Sequence, residues 1–103
     1  MLRVIKVAAY VGGFLRVKDW KWYREYRSVA EPLVAKHGGR YLAKGGPLSW
    51  LEGDPLPPPD AVVMLEFPTR EQAQQFYDDP AYVPMITLRK NSSQTELVIV
   101  DSI

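Results

Sequence analysis

Two short segments of the sequence are apolar at consecutive positions instead of at alternate ones. They are AVVMLEF at 61–67 and ELVIV at 96–100. Both have the length of a strand and the β-branched residues that favour one. A strand in a sheet with one face in water alternates apolar and polar side chains, whereas a strand buried on both faces does not. The pattern therefore predicts a sheet that is covered on both of its faces.

The first third of the chain is predicted to form a strand and then a helix. The run from Arg3 to Leu15 is dominated by Val, Ile, Ala, Tyr and Phe and favours a strand, with Gly12 and Gly13 at a bulge or bend. Asp19 is a suitable N-cap for a helix that continues to about His37. Apolar and aromatic side chains recur at three- and four-residue steps along one buried stripe of this helix: Tyr23, Tyr26, Ala30, Leu33 and His37.

Prolines and glycines set the limits of the next elements. Pro32 is expected to bend the helix, and Gly38 stands where a left-handed cap would end it. Residues 40–44 are predicted to form a second strand that extends weakly to Glu52. Segment 53–60, GDPLPPPD, is too rich in proline for a helix or a sheet and is predicted to be a stiff loop.

The second half of the chain contains two more strands, which are the two apolar segments, with helical sequence between them. Thr69 and Gln72 form a capping box that begins a second helix. Asp79, which precedes a proline, is expected to end that helix and to cap a further short turn that Pro84 distorts. The inward-facing residues of these helical segments are predicted to be Ala73, Phe76, Tyr77, Tyr82, Met85 and Leu88.

The resulting order of elements is β-α-β-β-α-β, the split arrangement of the ferredoxin-like fold in the α+β class. In this fold both helices cover the same face of an antiparallel sheet. Burying one large aliphatic side chain contributes roughly 1.5–3 kcal/mol, so a row of them left in water is unfavourable. A second copy, related by a two-fold axis, is the simplest cover. We therefore predict a single domain of residues 1–103 that forms a homodimer with a closed, barrel-like interior.

Charge and cysteine content exclude several classes of function. The 13 Lys and Arg and the 12 Asp and Glu leave a formal net charge of +1, which gives no general attraction to nucleic acid or to an anionic membrane. With no cysteine in the chain, disulfides and thiolate metal sites are excluded, and a reducing cytoplasm fits. Lys6, Arg16 and Lys18 interrupt the pattern of a signal peptide. The prediction is a cytoplasmic protein with neither nucleic acid nor membrane as a partner.

The segment HGGRYLAKGG, at 37–46, is the most site-like stretch of the sequence. A phosphate-binding loop needs its glycines between a strand and a helix, but here a helix precedes them and a strand follows. The second glycine pair runs into Pro47, which has no N–H to donate. We interpret both pairs as structural punctuation.

Arg40 and Lys44, between the two glycine pairs, are candidate substrate-binding residues. Side chains alternate along a strand, so both cations are predicted to share one face with Leu42. If that face points into the dimer, the two cations would hold a carboxylate or an enolate. If it lies at a solvent-exposed edge, they are solvated charges that protect the edge.

Glu66 interrupts an apolar strand and shares a predicted face with Met64 and Val62. A buried carboxylate must be paired, or its pKa rises towards a value that suits general acid–base catalysis. Glu66 is therefore either a catalytic residue or the partner of Arg40 or Lys44 in a structural ion pair. Hydroxyl partners for a substrate would come from Tyr10, Tyr23 and Tyr26, each of which also suits plain core packing.

His37, the sole histidine, is the second catalytic candidate. Its place near a helix C-terminus equally favours a capping role. One histidine and scattered carboxylates give no metal-ligand spacing, so neither a metal nor a cofactor is predicted.

Several blocks of the sequence follow in the order found in a known family. They are DWKWYREYR, HGGRYLAKGG, LEGD, VVMLEFPTREQAQQFYDDPAY and the closing strand. The chain resembles the domain of unknown function family 1330, and the resemblance implies membership of the dimeric α/β-barrel superfamily. The PLPPP loop and Pro84 depart from that pattern. The family supplies no established activity, so no catalytic residue is transferred.

Three hypotheses of function remain open at this point. The resemblance to the superfamily suggests cofactor-independent chemistry on a small organic acid or carbonyl compound. Glu66 or His37 would then move a proton, while Arg40 or Lys44 would stabilise negative charge. The alternatives are a non-catalytic small-molecule-binding module and a structural dimer without a cavity.

Overall fold

Residues 7–103, which a computed structural model describes, form four strands and three helices. In chain order these are β1 (Ala9–Val17), α1 (Tyr23–Lys36), β2 (Arg40–Gly45), β3 (Ala61–Phe67), α2 (Arg70–Asp78), α3 (Val83–Ser92) and β4 (Ser93–Asp101). Each helix in this part of the chain is too short or too polar to cross a bilayer.

The four strands form one antiparallel sheet with the order β2-β3-β1-β4. The two central strands, β1 and β3, are each paired on both sides, and the crossovers are the two helical segments. This is the split topology of the ferredoxin-like fold, so the predicted α+β class is confirmed. The sheet is open, with β2 and β4 at its edges, and does not close into a barrel within one chain.

The helices cover one face of this sheet, which we call the inner face. Val11 of β1 and Leu65 and Phe67 of β3 are buried there, and Phe67 is fully inaccessible to solvent. The predicted stripe of α1 is confirmed, since Ala30 and Leu33 are buried. The remaining buried members of the core come from the helices and their ends: Val34, Ala73, Phe76, Tyr82 and Met85.

Among residues 7–103, no element covers the opposite, outer face of the sheet, which exposes several large apolar side chains. Phe14 is 45% exposed and Met64 41%, while Val98 and Val100 of the edge strand β4 are 62% and 55% exposed. Strands β3 and β4 therefore present apolar side chains on both faces, which is the property that their consecutive apolar residues predicted.

Of two predictions near the chain start, one falls partly outside the described residues and the other needs correction. The predicted first strand began at Arg3, and residues 3–6 lie outside the described part of the chain, in which β1 runs from Ala9 to Val17. Helix α1 begins at Tyr23, so Asp19 is not its N-cap. The Asp19 side chain instead accepts a hydrogen bond from the Lys21 N–H, in a turn that precedes the helix.

Two predictions around prolines were also wrong. Strand β2 ends at Gly45 and does not extend to Glu52, because Pro47 lacks an N–H for a ladder, and residues 46–60 form a loop. The short turn after Asp79 is a full helix, α3. Pro84 lies in its first turn, where no N–H is required, and so does not distort it.

The turn between α1 and β2 explains the first glycine pair. Gly38 has a φ of +80°, and its N–H donates to the Ala35 carbonyl, while the Gly39 N–H donates to the Val34 carbonyl. These two bonds form a Schellman motif, so the predicted left-handed cap is confirmed. A Cβ on Gly39 would lie 2.5 Å from a ring carbon of Phe67, so the turn also packs directly on the core.

Candidate functional site

A cavity of about 820 Å³ lies between the helices and the inner face of the sheet. Val11, Leu65 and Leu97 are part of its sheet side. Aromatic side chains form much of its helical side and its rim: Trp20, Trp22, Tyr23, Tyr26, Phe76, Tyr77 and Tyr82. Such a lining, apolar with a few polar groups, is typical of small-molecule sites.

The start of α1 supplies the aromatic cluster, because aromatic residues recur there at close helical spacing. The rings of Trp20 and Trp22 stack with centroids 6.0 Å apart, and Trp22 meets Tyr26 edge-on at 5.2 Å. Tyr26 in turn packs against Tyr82, which precedes α3. The cluster therefore joins α1 to α3 above the sheet.

Arg89 of α3 is a buried cation in the lining of this cavity. It is only 3% exposed, and its Nη1 donates hydrogen bonds to the hydroxyls of Tyr82 at 2.9 Å and Tyr26 at 3.3 Å. Those two hydroxyls also hydrogen-bond to each other. Among residues 7–103, no carboxylate forms an ion pair with Arg89. A buried charge without a counter-ion is unfavourable, so this arrangement needs an explanation.

The protonation states of this cluster follow from its burial. Burial raises the pKa of Tyr82 well above its ordinary value, so its hydroxyl keeps its proton at neutral pH. For Arg89, burial lowers the pKa, but the nearby Tyr82 and Tyr26 oxygens outweigh that effect and raise it. The site therefore combines the positive charge of Arg89 with the neutral hydroxyl of Tyr82.

A second charged group lies at the half-exposed rim. Lys44 of β2 donates a hydrogen bond to Glu31 of α1, and its Nζ lies 4.7 Å from the centre of the Tyr41 ring. Arg27 also donates to Glu31, at 2.8 Å. The hydrogen bond from Lys44 lowers the pKa of Glu31, so the carboxylate remains charged and holds Lys44 across the rim.

The candidate residues Arg40 and Lys44 do not share a face, contrary to the prediction. The register with β3 shifts between Tyr41 and Ala43, which leaves Leu42 as an extra residue in a bulge. Arg40 pairs with Glu66 on the outer face, whereas Lys44 lies on the inner face opposite Val63. Only Lys44 of the two lines the cavity.

Glu66 is paired with Arg40, as one of its two predicted interpretations required. Arg40 Nε lies 2.9 Å from Glu66 Oε1. Tyr10 of β1 is the neighbour of Glu66 on the other side, so Tyr10, Glu66 and Arg40 form one row across three strands. This row is on the outer face of the sheet, away from the cavity between sheet and helices.

His37 caps α1 and contacts a buried carboxylate. Its Nε2 lies 2.8 Å from Asp79 Oδ2, and Lys36 Nζ lies 3.0 Å from the same oxygen. The hydrogen bond from His37, with those from the Ala81 N–H and Lys36, holds the pKa of Asp79 well below its usual range. His37 is not among the residues that line the cavity. Its contacts are those of a structural cap.

Of the predicted tyrosines, Tyr23 and Tyr26 line the cavity and Tyr10 does not. Sequence reasoning did not identify Arg89 as a site residue, and it placed Tyr82 in the core alone. A signal for Arg89 was present, since Tyr82, Met85 and Arg89 are spaced by three and four residues and so share one stripe of α3. No three His, Cys, Asp or Glu side chains in the described range are grouped to hold a metal ion.

Comparison with known proteins gives a family match and several structural likenesses. Residues 8–103 match the family model for the domain of unknown function DUF1330. No functionally curated protein matches the chain. The solved structures below share less than 25% identity with the chain, so they establish the fold and nothing more.

Three of these structures are informative. A protein of unknown function from Rhodopseudomonas palustris has a TM-score of 0.79 at 16% identity and covers 96% of this chain and 85% of its own. A dimeric ferredoxin-like protein of unknown function from Thermobifida fusca has a TM-score of 0.65 at 14% identity, covering 99% and 97%. SnoaB from Streptomyces nogalater, a cofactor-independent oxygenase, has a TM-score of 0.63 at 12% identity, covering 96% and 95%.

Proposed function

The chain belongs to the DUF1330 family, and from that premise we propose that it binds a small, largely apolar organic molecule in the cavity between its helices and its sheet. The observation that carries this proposal is the size and lining of the cavity. At about 820 Å³ it falls within the range of roughly 300–1,000 Å³ that is usual for ligand pockets. A chain of 103 residues that needed only a packed core would have no use for such a space.

The proposal is tested by filling the cavity. Leu97 of β4 lines it and is half-buried, so Leu97→Trp places additional ring volume inside. The probe is 2-naphthamide, a neutral aromatic compound, and its binding is measured by calorimetry and by ligand-observed NMR. We expect binding by the natural protein and a loss of roughly tenfold or more in the filled variant.

The matched control is Leu51→Trp, because Leu51 is 98% exposed in the loop between β2 and β3. This variant adds the same ring without touching the cavity and should bind like the natural protein. If the natural protein binds neither this probe nor its acid counterpart, 2-naphthoate, or if Leu97→Trp binds the probe equally well while folded, the proposal is wrong.

The second candidate function is cofactor-independent turnover of a small organic acid or carbonyl compound. SnoaB, which shares the fold, is described as a cofactor-independent oxygenase. The support within this chain is the cluster of Tyr26, Tyr82 and Arg89, which can hold a proton and stabilise developing negative charge. Because Glu66 and His37 lie outside the cavity, we assign any chemistry there to this cluster instead.

Turnover is tested by incubating aromatic acids and ketones with the protein and dioxygen, without added metal, flavin or haem. Mass spectrometry detects the product. Tyr82→Phe removes one hydroxyl of the cluster and should lower the rate by about 10²-fold or more, in the usual range for general acid–base residues. A rate that Tyr82→Phe leaves unchanged would exclude the cluster from the reaction.

We also propose that the outer sheet face is covered by a second copy of the chain. The exposed apolar side chains of Phe14, Met64, Val98 and Val100 support this proposal, and a neighbour with the same fold is described as dimeric. The row of Tyr10, Glu66 and Arg40 would then lie at the interface. A substrate-binding role for that row depends on the dimer.

Two broader proposals complete the assignment. We propose that residues 1–103 form one domain, because β1 pairs with β3 and with β4 and so unites the chain in a single sheet. We propose a cytoplasmic location, because the chain has no cysteine for the disulfides that small secreted domains commonly use.

A further inference from the structure

Two buried hydrogen-bond donors in the cavity lining have no acceptor. Among residues 7–103, Trp22 Nε1 and Arg89 Nε are the buried side-chain nitrogen or oxygen atoms without a partner. Both belong to residues that line the cavity, and both can only donate. Buried polar groups are nearly always satisfied, and leaving one unpaired costs roughly 1–3 kcal/mol. The cavity is therefore short of acceptors and not of donors.

The tyrosine hydroxyls add a further donor to this count. Tyr26 and Tyr82 carry one hydroxyl proton each, and one of the two is used in the hydrogen bond between them. Arg89 Nη1 donates to both oxygens, which uses acceptor capacity on the tyrosines and none of their protons. One hydroxyl proton therefore remains to be donated. All the unused hydrogen-bonding capacity identified in this cluster is complementary to a ligand with acceptors.

The charge of the cluster is positive, so it also favours a ligand with hydrogen-bond acceptors. Arg89 has neutral hydroxyl partners and no carboxylate, although it is almost completely buried. Lys44 and Arg27 at the rim are already paired with Glu31. The guanidinium of Arg89 thus remains as the uncompensated buried charge, and a guanidinium matches the geometry of a carboxylate.

We infer that the cavity takes an aromatic carboxylate, with its carboxylate group held by Arg89 and the Tyr26–Tyr82 hydroxyl pair and its ring among the aromatic side chains. The inferred ligand carries an aromatic ring because Trp22, Phe76 and Tyr77 offer flat apolar surfaces on which such a ring can pack. This inference rests on the proposed function and names the ligand class for the same cavity.

The experiment compares two probes of nearly equal shape, 2-naphthoate and 2-naphthamide, by calorimetry at neutral pH. Only the first carries a negative charge. We expect the natural protein to bind 2-naphthoate at least about tenfold more tightly, because a hydrogen bond to a charged group is worth more than a neutral one. Arg89→Met should remove most of this preference while 2-naphthamide affinity changes by less than about threefold.

The control variant is Arg24→Met. Arg24 is exposed on α1 and does not line the cavity, so this variant removes one positive charge from the protein and none from the site. It should keep the preference for 2-naphthoate. Tyr26→Phe, which removes one hydroxyl of the pair, should weaken 2-naphthoate binding and leave 2-naphthamide binding nearly unchanged.

The outcomes separate this inference from the proposed function. Equal affinity of the natural protein for the two probes overturns the inference and leaves the proposed function intact. Failure of both probes to bind overturns both. If Arg89→Met does not fold, the comparison of probes on the natural protein and on Tyr26→Phe decides the question. A preference that survives in a folded Arg89→Met variant also overturns the inference.

Discussion

The carboxylate of Asp79 connects the end of α1 to the segment between α2 and α3. Its Oδ2 accepts hydrogen bonds from His37 and Lys36, and its Oδ1 accepts one from the Ala81 N–H. Asp79 is 8% exposed, so these partners replace the water that a carboxylate needs. His37, the sole histidine of the chain, thus takes part in a structural contact with a buried carboxylate.

Replacing Asp79 by Asn should destabilise the protein at pH 7 in chemical denaturation. The pKa of Asp79 is lower in the folded than in the unfolded state, so its contribution is complete above the unfolded value of about 3.9. The contribution is lost as the pH falls through the folded pKa. The difference in unfolding free energy between the natural protein and Asp79→Asn should therefore be full at pH 7 and shrink below about pH 4.

The neighbouring carboxylate supplies the control for this measurement. Asp78 is exposed and accepts a hydrogen bond from Gln74 on the same helix. Asp78→Asn should change stability much less at every pH. The difference in unfolding free energy between the natural protein and Asp79→Asn could instead stay constant between pH 7 and pH 3. In that case the charge of Asp79 does not stabilise the folded state through these contacts.

At the scale of elements, the α1–β2 turn must pass close to the core. Gly38 provides the positive φ, and Gly39 provides the space, because the Phe67 ring lies against its Cα. The Phe67 ring is itself packed on Phe76, with centroids 5.4 Å apart, and cannot retreat easily. The glycine pair thus fixes where β2 begins and how closely it approaches β3.

Gly39→Ala should destabilise the protein by roughly 1–3 kcal/mol, the usual effect of overpacking a core. Its Cβ would lie 2.5–2.8 Å from three Phe67 ring atoms. The measurement is a double-mutant cycle in urea, with Phe67→Leu as the second change. In the Phe67→Leu background, Gly39→Ala should cost less, because the smaller side chain leaves room. If the two effects are additive within about 0.5 kcal/mol, the contact is not the cause.

At the scale of the molecule, the outer sheet face is an apolar-rich surface that the described part of the chain, residues 7–103, leaves uncovered. Its exposed residues lie on adjacent strands, with Val98 of β4 opposite Gly12 of β1 and Met64 of β3 on the other side of Gly12. The surface is therefore continuous across the centre of the sheet. A two-fold axis through this face would cover the same residues in both copies.

Val98→Asp should convert the proposed dimer into a monomer in sedimentation at micromolar concentration. Val98 is 62% exposed in the single chain, and a two-fold axis places the substitution in the interface twice. Losing two buried valines costs roughly 3–6 kcal/mol, so the dimer Kd should rise by about 10²-fold or more.

Leu51→Asp, in the exposed loop between β2 and β3, is the control and should remain dimeric. A natural protein that sediments as a monomer at micromolar concentration would contradict the proposed dimer. Retention of the dimer by Val98→Asp would show that copies associate through another surface.

Much of the fold could be predicted from local patterns. Strand β3 spans 61–67, as its apolar run predicted, and Thr69 caps α2 by accepting a hydrogen bond from the Gln72 N–H. The pairing of Glu66 with Arg40 was one of two predicted interpretations. The bounds of β3 follow from the period of its side chains and the start of α2 from its capping motif, and both are encoded within short stretches of sequence. The ion pair follows because its two strands are neighbours in the sheet.

The bulge at Leu42 could not be predicted, because a two-residue period cannot show that one strand carries an extra residue. That single residue moves Lys44 from the outer face to the cavity. The burial of Arg89 was not predicted either, although Arg89 shares a stripe with Tyr82 and Met85, since a charged residue on a helix normally faces water. Its setting depends on Tyr26, which is 63 positions away in sequence.

The sequence by itself determined the order of the strands and of the first two helices, the left-handed turn at Gly38 and the presence of apolar side chains on both sheet faces. Each of these follows from backbone preference or from side-chain periodicity, which act over a few residues. The tertiary structure alone decided that Arg89, Tyr26, Tyr82 and Trp22 meet in one cavity, and that Glu66 and His37 do not. These contacts are between side chains of α1, α3 and the sheet that are far apart in sequence. Which of them converge is set only when the complete elements pack against one another.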